Sequence, residues 1–306
     1  MMCLSICFNL NERRKNKNLH EKYWRKYYKI RISKFFNFET TFPSVFYINI
    51  VEMIISTMEY TSELLIVGQI ETGIKGLDLL LKGGFIKGTT VLLIGPVGTL
   101  KPHIGFQFLH TGLKSGERCF CLSTTQDLKI RSMQFRINYG WDLESYVKNG
   151  KLDFLYFSPI AVQSSTYKFV MSESGGSDII REVIHRITGD VTRILIHTLS
   201  QLFKIINDEK LVLSLIYRLK ELVRKNNAVA IFTVDSGIQN SSVEEEVKSI
   251  CDYVLETREY QSKVEIRVLK SLTRHDLEWR RVYTMDDGVH IQQNLKTPVH
   301  YINNLD

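Results

Sequence analysis

Short apolar runs alternate along much of the chain with longer segments in which apolar residues recur every three to four positions. Apolar runs bounded by glycine or polar residues predict buried strands, whereas the three-to-four periodicity predicts amphipathic helices. Strands that alternate with helices are typical of parallel sheets covered by helices on both faces. The pattern therefore predicts an α/β fold with a mainly parallel central sheet.

The alternation is regular from residue 63 to residue 235, apart from a Ser- and Gly-rich stretch at 158–177 that is predicted to be a loop or an insertion. Strands are predicted at 64–67, at the buried run that ends at Gly95, and at 118–122, 151–157, 193–196 and 229–234; helices are predicted at 77–81, 102–113, 128–139, 178–187 and 208–225.

After Cys251 the pattern changes. Three short runs, at 253–257, 264–270 and 281–285, follow each other without intervening helices. Such runs predict consecutive antiparallel strands at one edge of the sheet. A turn signal at 286–288 precedes a last short strand.

The first 57 residues differ in composition from the rest of the chain. They hold ten Lys and Arg against four Asp and Glu, a net charge of +6, whereas the remainder carries +1. Residues 20–36 have the pattern of a basic amphipathic helix, which suits an acidic membrane surface or a nucleic-acid backbone. The alternative is a segment that is unstructured or not translated, because Met53 and Met58 both lie close to the start of the regular pattern. We therefore divide the chain into an extension (1–57), one domain (58–292) and a tail (293–306).

The cysteines show no spacing typical of a disulfide framework. An odd number of thiols without such a framework favours the reducing cytoplasm. Cys119 and Cys121 lie two positions apart in a predicted strand, so we expect both to face the core. No apolar run is long enough and free enough of charge to predict a transmembrane segment. The five cysteines are Cys3, Cys7, Cys119, Cys121 and Cys251.

The sequence VLLIGPVGTLKPHI, residues 91–104, predicts a buried strand, a glycine turn and the start of a helix. A phosphate-binding loop of the form G-x-x-x-x-G-K-[ST] has this organisation, since backbone N–H groups and a helix N-terminus face the anion. Gly95, Gly98, Thr99 and Lys101 lie in the frame of such a loop and are our candidate nucleotide-binding residues.

Two residues depart from the loop pattern. Leu100 stands where the second glycine is expected, and its side chain adds bulk where the backbone passes close to phosphate. Pro102 replaces the Ser or Thr whose hydroxyl would hold Mg²⁺, and it lacks an N–H that would face phosphate. The fixed φ of proline suits the first turn of a helix, so we expect the fold to tolerate it.

Six segments, in order along the chain, resemble the RecA-fold ATPase domain of KaiC-like proteins and of the related RadA-like recombinases. The resemblance implies a RecA-like P-loop NTPase fold and an ATP-binding site. Function has to be argued from the site, because the fold alone fixes no activity. The matching stretches span residues 71–291 and are TGIKGLDLLLKGGFIKGTTVLLIG, QFLHTGLKSGERCFCLS, NYGWDLESYVKNGKLDFL, RILIHTLSQL, SSVEEEVKSICDYVLET and RVLKSLTRHDLEWRRVYTMDDGVHI.

Two further positions depart from what the resemblance implies. The strand at 193–196 would end in an aspartate that orients Mg²⁺ and its water, but this chain has His197, and imidazole is a poor ligand for magnesium. One interpretation is a histidine whose ring is hydrogen-bonded within the protein, and the other is a ligand for a transition metal. The catalytic carboxylate would follow the strand at 118–122, where this chain has Thr125 and Gln126, which are not bases. Asp127 comes too late and is predicted to cap the next helix.

The resemblance also implies contact between subunits, through a Lys-x-Arg-Gly segment that reaches a neighbour's nucleotide. Lys270 matches the lysine, and Arg274 could replace the missing arginine from a shifted position; ordinary solvated charges are the alternative. The implied partners are copies of the chain or an active KaiC-like paralogue, in a ring or filament.

Together these departures predict a pseudo-ATPase. Loss of the Mg²⁺ hydroxyl, the Mg²⁺ aspartate and the base would each weaken metal-assisted phosphoryl transfer. We expect a non-hydrolysing regulatory or scaffold protein. Whether it binds nucleotide stays open: the alternatives are weak binding of ATP or ADP with little or no dependence on Mg²⁺, and no binding. Two alternatives stay open: a weak ATPase or autokinase that uses Asp235 or Asp127, and a RadA-like DNA-binding recombination accessory protein. The small net charge outside the extension argues against the second.

Overall fold

The structure is a computed structural model, and it describes residues 68–157, 175–187 and 189–293. The basic extension at 1–57, the strand predicted at 64–67 and nearly all of the tail at 293–306 lie outside the described residues. Most of the stretch at 158–177 lies outside them as well.

One large sheet organises the described part of the chain, beside a two-stranded antiparallel sheet of β1 (Gln69–Ile70) and β2 (Phe85–Ile86). The large sheet contains β3 (Thr89–Gly95), β4 (Arg118–Ser123), β5 (Leu152–Tyr156), β6 (Val191–His197), β7 (Val229–Asp235), β8 (Tyr253–Tyr260), β9 (Lys263–Lys270), β10 (Arg280–Met285) and β11 (Gly288–Ile291).

The order of strands across the large sheet is β11-β10-β9-β8-β3-β7-β6-β4-β5. The strands from β8 to β5 in this order are parallel, whereas β8, β9, β10 and β11 pair antiparallel. The prediction of a mainly parallel sheet with antiparallel strands towards the C-terminus is confirmed. Of the antiparallel strands, β8 also pairs parallel with β3 and so joins the two parts of the sheet.

Helices connect the parallel strands, and side-chain caps begin several of them. Asp127 accepts a hydrogen bond from the N–H of Ile130 at 2.9 Å, which confirms its predicted role as a cap. No helix in the described ranges is both long enough and apolar enough to cross a bilayer. The helices are α1 (Lys75–Leu80), α2 (Lys101–Lys114), α3 (Leu128–Tyr139), α4 (Leu143–Lys148), α5 (Gly175–Arg186), α6 (Leu199–Ile206), α7 (Glu209–Asn226) and α8 (Ser241–Ile250).

The helix pattern differs from the prediction in two respects. The short helices α4 and α6, and also α8, are absent from the predicted elements. Helix α5 begins at Gly175, inside the stretch predicted to be a loop. A Cβ atom at Gly176 would lie 2.8 Å from Cγ2 of Ile206 in α6. Close packing between these two helices therefore accounts for a glycine that, by propensity alone, argues against a helix.

Apolar side chains pack on both faces of the large sheet, because alternate strand residues point to opposite sides. In β3, Leu92 and Ile94 face the cluster beneath α5, α6, α7 and α8, whereas Leu93 faces the cluster beneath α1, α2 and α3. Cys119 and Cys121 are buried in the second cluster, as predicted. Burial raises the pKa of the Cys119 thiol to about 12.

The parallel strands end side by side at one edge of the sheet, which we call the carboxyl edge. Gly95 of β3 is in register with Asp235 of β7, and Ser123 of β4 is in register with His197 of β6. In open α/β sheets, ligands bind outside the carboxyl ends of the strands. The carboxyl edge is therefore the candidate functional site.

Candidate functional site

The loop between β3 and α2 is held against β8. A Cβ atom at Gly95 would lie 2.1 Å from Oγ1 of Thr257 in β8, so the two strands leave room only for glycine. Oγ1 of Thr99 lies 2.7 Å from the same Thr257 hydroxyl and 2.7 Å from the carbonyl oxygen of Pro96. Gly98 has a φ of +91°, a conformation that favours glycine. Glycine at these two positions therefore fits the backbone geometry of the loop.

Leu100 and Pro102 flank the first residue of α2. Leu100 has a φ of +60°, in the left-handed region that a bulky residue rarely adopts. Glycine, which the loop pattern expects here, would adopt this conformation freely. Pro102 lies in the first turn of α2. Backbone N–H groups in a first turn have no partner within the helix, so the N–H that proline lacks is not needed there. The proline fits the fold well, and the leucine fits it at a cost in conformational energy.

Lys101 is buried, with 2% of its surface exposed. Its Nζ donates to the carbonyl oxygens of Gly95 at 2.7 Å and Pro96 at 2.5 Å, and it lies 3.1 Å from Oδ1 of Asp235. Burial lowers the pKa of Lys101, and the Asp235 carboxylate acts in the opposite direction. The three donors of the ammonium group thus have three close acceptors within the protein.

Asp235 reaches Lys101 because it is the last residue of β7, next to Gly95 across the parallel pair. Its backbone N–H donates to Oγ of Ser200 at 2.9 Å, which fixes the strand end. The sequence suggests either a turn residue or a substitute carboxylate at this position. The structure places its carboxylate beside the loop lysine, a contact that sequence spacing does not reveal.

His197 is buried at the end of β6. Its Nδ1 lies 2.7 Å from Oγ1 of Thr233 in β7. Burial lowers the pKa of His197 to about 3, and the charges of Arg131 and Lys101 act in the same direction. The ring is therefore neutral at pH 7, with one of its two nitrogens engaged by a hydroxyl group.

Arg131, in the first turn of α3, has 3% of its surface exposed. Its Nη2 donates to Oγ1 of Thr125 at 3.0 Å and its Nη1 to Oε1 of Gln134 at 3.0 Å. Its Nε has no hydrogen-bond partner among the described residues. The guanidinium carbon lies 5.2 Å from the ring centroid of Phe106. Burial lowers the pKa of Arg131 to about 10, so the side chain stays charged at pH 7.

The segment that follows β4 brings this arginine to the carboxyl edge. The N–H of Thr124 donates to the carbonyl oxygen of His197 at 2.7 Å, and the next residue, Thr125, accepts from Arg131. Oε1 of Gln126 is buried without a hydrogen-bond partner in the described ranges. The position where the resemblance implies a catalytic carboxylate therefore holds a threonine whose hydroxyl group accepts a hydrogen bond from Arg131.

Sequence reasoning missed Arg131, because a single arginine in a helix is ordinarily exposed. Its spacing carries a signal. Arg131 lies three positions after Leu128 and four before Phe135, on the apolar face of α3. Asp127, which the sequence offers as a substitute carboxylate, instead accepts the backbone N–H of Ile130 at the start of that helix.

Lys270 and Arg274 belong to β9 and to the segment that follows it. Nζ of Lys270 donates to the carbonyl oxygens of Ser249 at 2.9 Å and Cys251 at 2.7 Å, at the C-terminal end of α8. A cation stabilises such a helix end. Arg274 is exposed. A role for either residue at a subunit interface stays a prediction.

The described residues contain no group of three or more His, Cys, Asp or Glu side chains that could hold a metal ion. At the carboxyl edge, the Asp235 carboxylate is paired with Lys101.

Comparison with known proteins places the chain in a family. The sequence profile of the family described as ATPase: KaiC matches residues 70–296. The circadian clock protein KaiC3 of Synechocystis is 29% identical over 168 residues, which are 55% of this chain and 32% of that protein. The chain thus spans about a third of the length of this cyanobacterial relative. A UPF0273 protein of Pyrococcus furiosus is 25% identical over 233 residues, which are 73% of this chain and 93% of that protein.

A solved structure gives the same result for the fold. The crystal structure of a KaiC-like protein from Pyrococcus horikoshii matches with a TM-score of 0.58 at 22% identity, over 74% of this chain and all of the other. At that identity the likeness shows the fold alone. The family profile, however, covers most of the sequence, and the chain belongs to the KaiC family of ATPases.

Proposed function

We propose that this chain is a non-hydrolysing member of the KaiC family that acts as a regulatory or scaffold protein. One observation carries the proposal: the carboxyl edge holds two buried cations, Lys101 and Arg131, and the Asp235 carboxylate there is paired with Lys101. Metal-assisted phosphoryl transfer also uses a loop lysine, but it needs in addition oxygen ligands for Mg²⁺ and a group that positions or deprotonates the attacking water.

The chemistry of each position supports this proposal. Thr125 cannot take a proton from water, and its hydroxyl accepts a hydrogen bond from Arg131. His197 is a neutral nitrogen donor where magnesium prefers oxygen. Pro102 has no hydroxyl group. Removing one stabilising group from a catalytic site commonly lowers the turnover rate by about 10²- to 10³-fold. We therefore expect these differences together to lower the rate of ATP hydrolysis by at least that factor.

Nucleotide binding is a separate property from hydrolysis. The loop retains Gly98, Lys101 and the N-terminus of α2, which attract an anion. The bulk of Leu100 and the acceptors already held by Lys101 oppose tight binding. We therefore expect weak binding of ATP or ADP, and action through contacts with other copies of the chain or with an active KaiC-like paralogue.

Asp235 favours a second candidate, a weak ATPase or autokinase. Its carboxylate is at the end of a parallel strand and beside the loop lysine, where it could hold a water or a hydroxyl group. Its Oδ1 already lies 3.1 Å from Nζ of Lys101, and this pairing competes with such a role.

ATP hydrolysis by the purified chain tests the proposal. We expect phosphate release with Mg²⁺ to equal that of the Lys101→Ala variant and of a buffer control. A contaminating ATPase would give the same rate in both proteins. Turnover by the wild-type chain that disappears in Lys101→Ala would overturn the proposal in favour of the weak ATPase.

A further inference from the structure

Arg131 is a buried charge without a compensating acid. Its guanidinium donates to two neutral oxygen atoms, on Thr125 and Gln134, and Nε has no partner among the described residues. No described carboxylate lies within ion-pair distance of it. Buried charges in folded proteins are ordinarily paired or fully hydrogen-bonded. A site that keeps such a charge unpaired is prepared for an anion from outside the chain.

The position of Arg131 identifies the anion site. Thr125, to which it is bound, follows β4, and Thr124 is hydrogen-bonded to the end of β6 at His197. The guanidinium of Arg131 also lies over the ring of Phe106, in the helix α2 that begins at Lys101. The loop with Gly98 and the start of α2 complete the edge. A glycine loop at a helix N-terminus, with two buried cations, suits the polyphosphate of a nucleotide.

The same residues do not fit the magnesium ion that accompanies nucleotides in this family. Mg²⁺ requires oxygen ligands in octahedral geometry. Beside the loop lysine, the chain offers a proline, a neutral imidazole engaged with Thr233 and a carboxylate engaged with Lys101. A second cation, Arg131, would also repel the metal ion.

We propose that the carboxyl edge binds the polyphosphate of a nucleotide without a divalent cation, and that Arg131 supplies positive charge that Mg²⁺ would otherwise provide. This inference rests on the proposed non-hydrolysing function and gives its ligand: the metal-free nucleotide. The arginine neutralises phosphate charge and, unlike the metal, does not orient an attacking water.

Equilibrium binding of ATP and ADP, by calorimetry in EDTA and in excess Mg²⁺, tests this proposal. For the wild-type chain we expect affinity in EDTA to equal or exceed affinity in Mg²⁺, because the metal neutralises phosphates that the protein would otherwise bind. Binding that requires Mg²⁺ would overturn the proposal, and this measurement needs no variant.

Arg131→Gln tests the assigned residue. Hydrogen bonds to charged groups are strong enough that we expect a loss of about tenfold or more in metal-free affinity. Arg136→Gln is the matched control. It removes the same charge from the same helix, but Arg136 is exposed and paired with Asp142, so we expect no loss. Arg131→Lys, which keeps the charge, should lose less affinity than Arg131→Gln. Equal effects of Arg131→Gln and Arg136→Gln would overturn the assignment.

The outcomes separate the two proposals. Absence of binding in both EDTA and Mg²⁺ would overturn the metal-free nucleotide site and leave a non-hydrolysing scaffold. Lys101-dependent turnover would overturn the proposed function, whatever the result for Arg131.

Discussion

Two buried arginines lie at opposite edges of the same sheet and differ in their partners. Arg193, near the start of β6, donates through Nε and Nη2 to both carboxylate oxygens of Glu117, at 2.9 and 3.0 Å. Its Nη1 donates to the carbonyl oxygens of Glu71 at 2.7 Å and Phe108 at 2.9 Å. Arg131, at the carboxyl edge, is equally buried but has only neutral partners.

The surroundings of the two side chains are otherwise similar. Each guanidinium lies over a phenylalanine ring of α2, Arg193 over Phe108 at 4.7 Å and Arg131 over Phe106 at 5.2 Å. Arg193 lies at the opposite edge, where the parallel strands begin, which we call the amino edge. Gly112 of α2 leaves room for it there, since a Cβ atom on Gly112 would lie 2.4 Å from Nε of Arg193. All three nitrogens of Arg193 donate hydrogen bonds, two of them to a carboxylate, so the chain itself neutralises this charge. Arg131 has one nitrogen without a partner among the described residues and no carboxylate partner, which leaves its charge for an anion from outside the chain.

The largest expected effect concerns the amino edge. Glu117→Gln keeps the shape of the side chain but leaves Arg193 buried without a counter-charge. Because breaking a buried ion pair is costly, we expect the free energy of unfolding to fall by about 3 kcal/mol in urea titrations. Glu245→Gln breaks an exposed pair with Lys248 and should change stability by less than about 0.5 kcal/mol. Equal effects would show that the Arg193 pair is no more than a surface contact.

The pH dependence of stability sharpens the comparison at the carboxyl edge. The pKa of His197 is about 3 in the fold and about 6.5 when unfolded, so the unfolded state binds the proton first as the pH falls. The fold holds His197 neutral, and this arrangement costs no stability above pH 6.5. Below pH 6.5 the free energy of unfolding falls progressively, until His197 is protonated in the fold as well, near pH 3. At pH 5 the loss is about 2 kcal/mol, at 1.36 kcal/mol for each pKa unit.

Denaturation of His197→Asn at pH 7 and pH 5 checks this expectation. The difference in unfolding free energy between the two pH values should be smaller in the variant than in the wild type by about 2 kcal/mol. His185→Asn, at an exposed position of α5, is the control and should keep the wild-type difference. An unchanged pH dependence in His197→Asn would mean that His197 is not held neutral by the fold.

The smallest expected effect concerns the ion pair beside the loop. Asp235→Asn removes the carboxylate that competes with phosphate for Lys101, so we expect metal-free ATP to bind about three- to tenfold more tightly. Asp190→Asn removes an acid that is paired with Arg118 near the start of β4 and β6, and should leave the affinity unchanged. Weaker binding in Asp235→Asn would show that the carboxylate positions Lys101 for the ligand.

Much of the fold could be predicted from sequence because its signals are local. The buried runs of β3 and β7 and the periodicity of α3 each decide one element, and the alternation of elements decides the parallel sheet. The short helices α4 and α6 were missed because six or eight residues give little periodicity. Their stability comes from packing on neighbouring elements.

The candidate site was less predictable, because its decisive contacts join distant parts of the chain. The spacing of Gly95 and Lys101 that is typical of a phosphate-binding loop can be recognised within a short stretch of sequence. The ion pair between Lys101 and Asp235 depends on the parallel register of β3 with β7. The spacing of Arg131 within α3 places it on the apolar face, but its contact with Phe106 of α2 depends on how the two helices pack.

Thr257 fixes the conformation of the loop between β3 and α2 before any ligand binds. From β8 it contacts both Gly95 and Thr99, so the shape of the loop is set by a strand far along the sequence. The conformational entropy of the loop is therefore lost during folding and not when a ligand arrives. Preorganisation of this kind lowers the cost of association. For this loop, the heat of nucleotide binding would report charge and desolvation, with little contribution from backbone ordering.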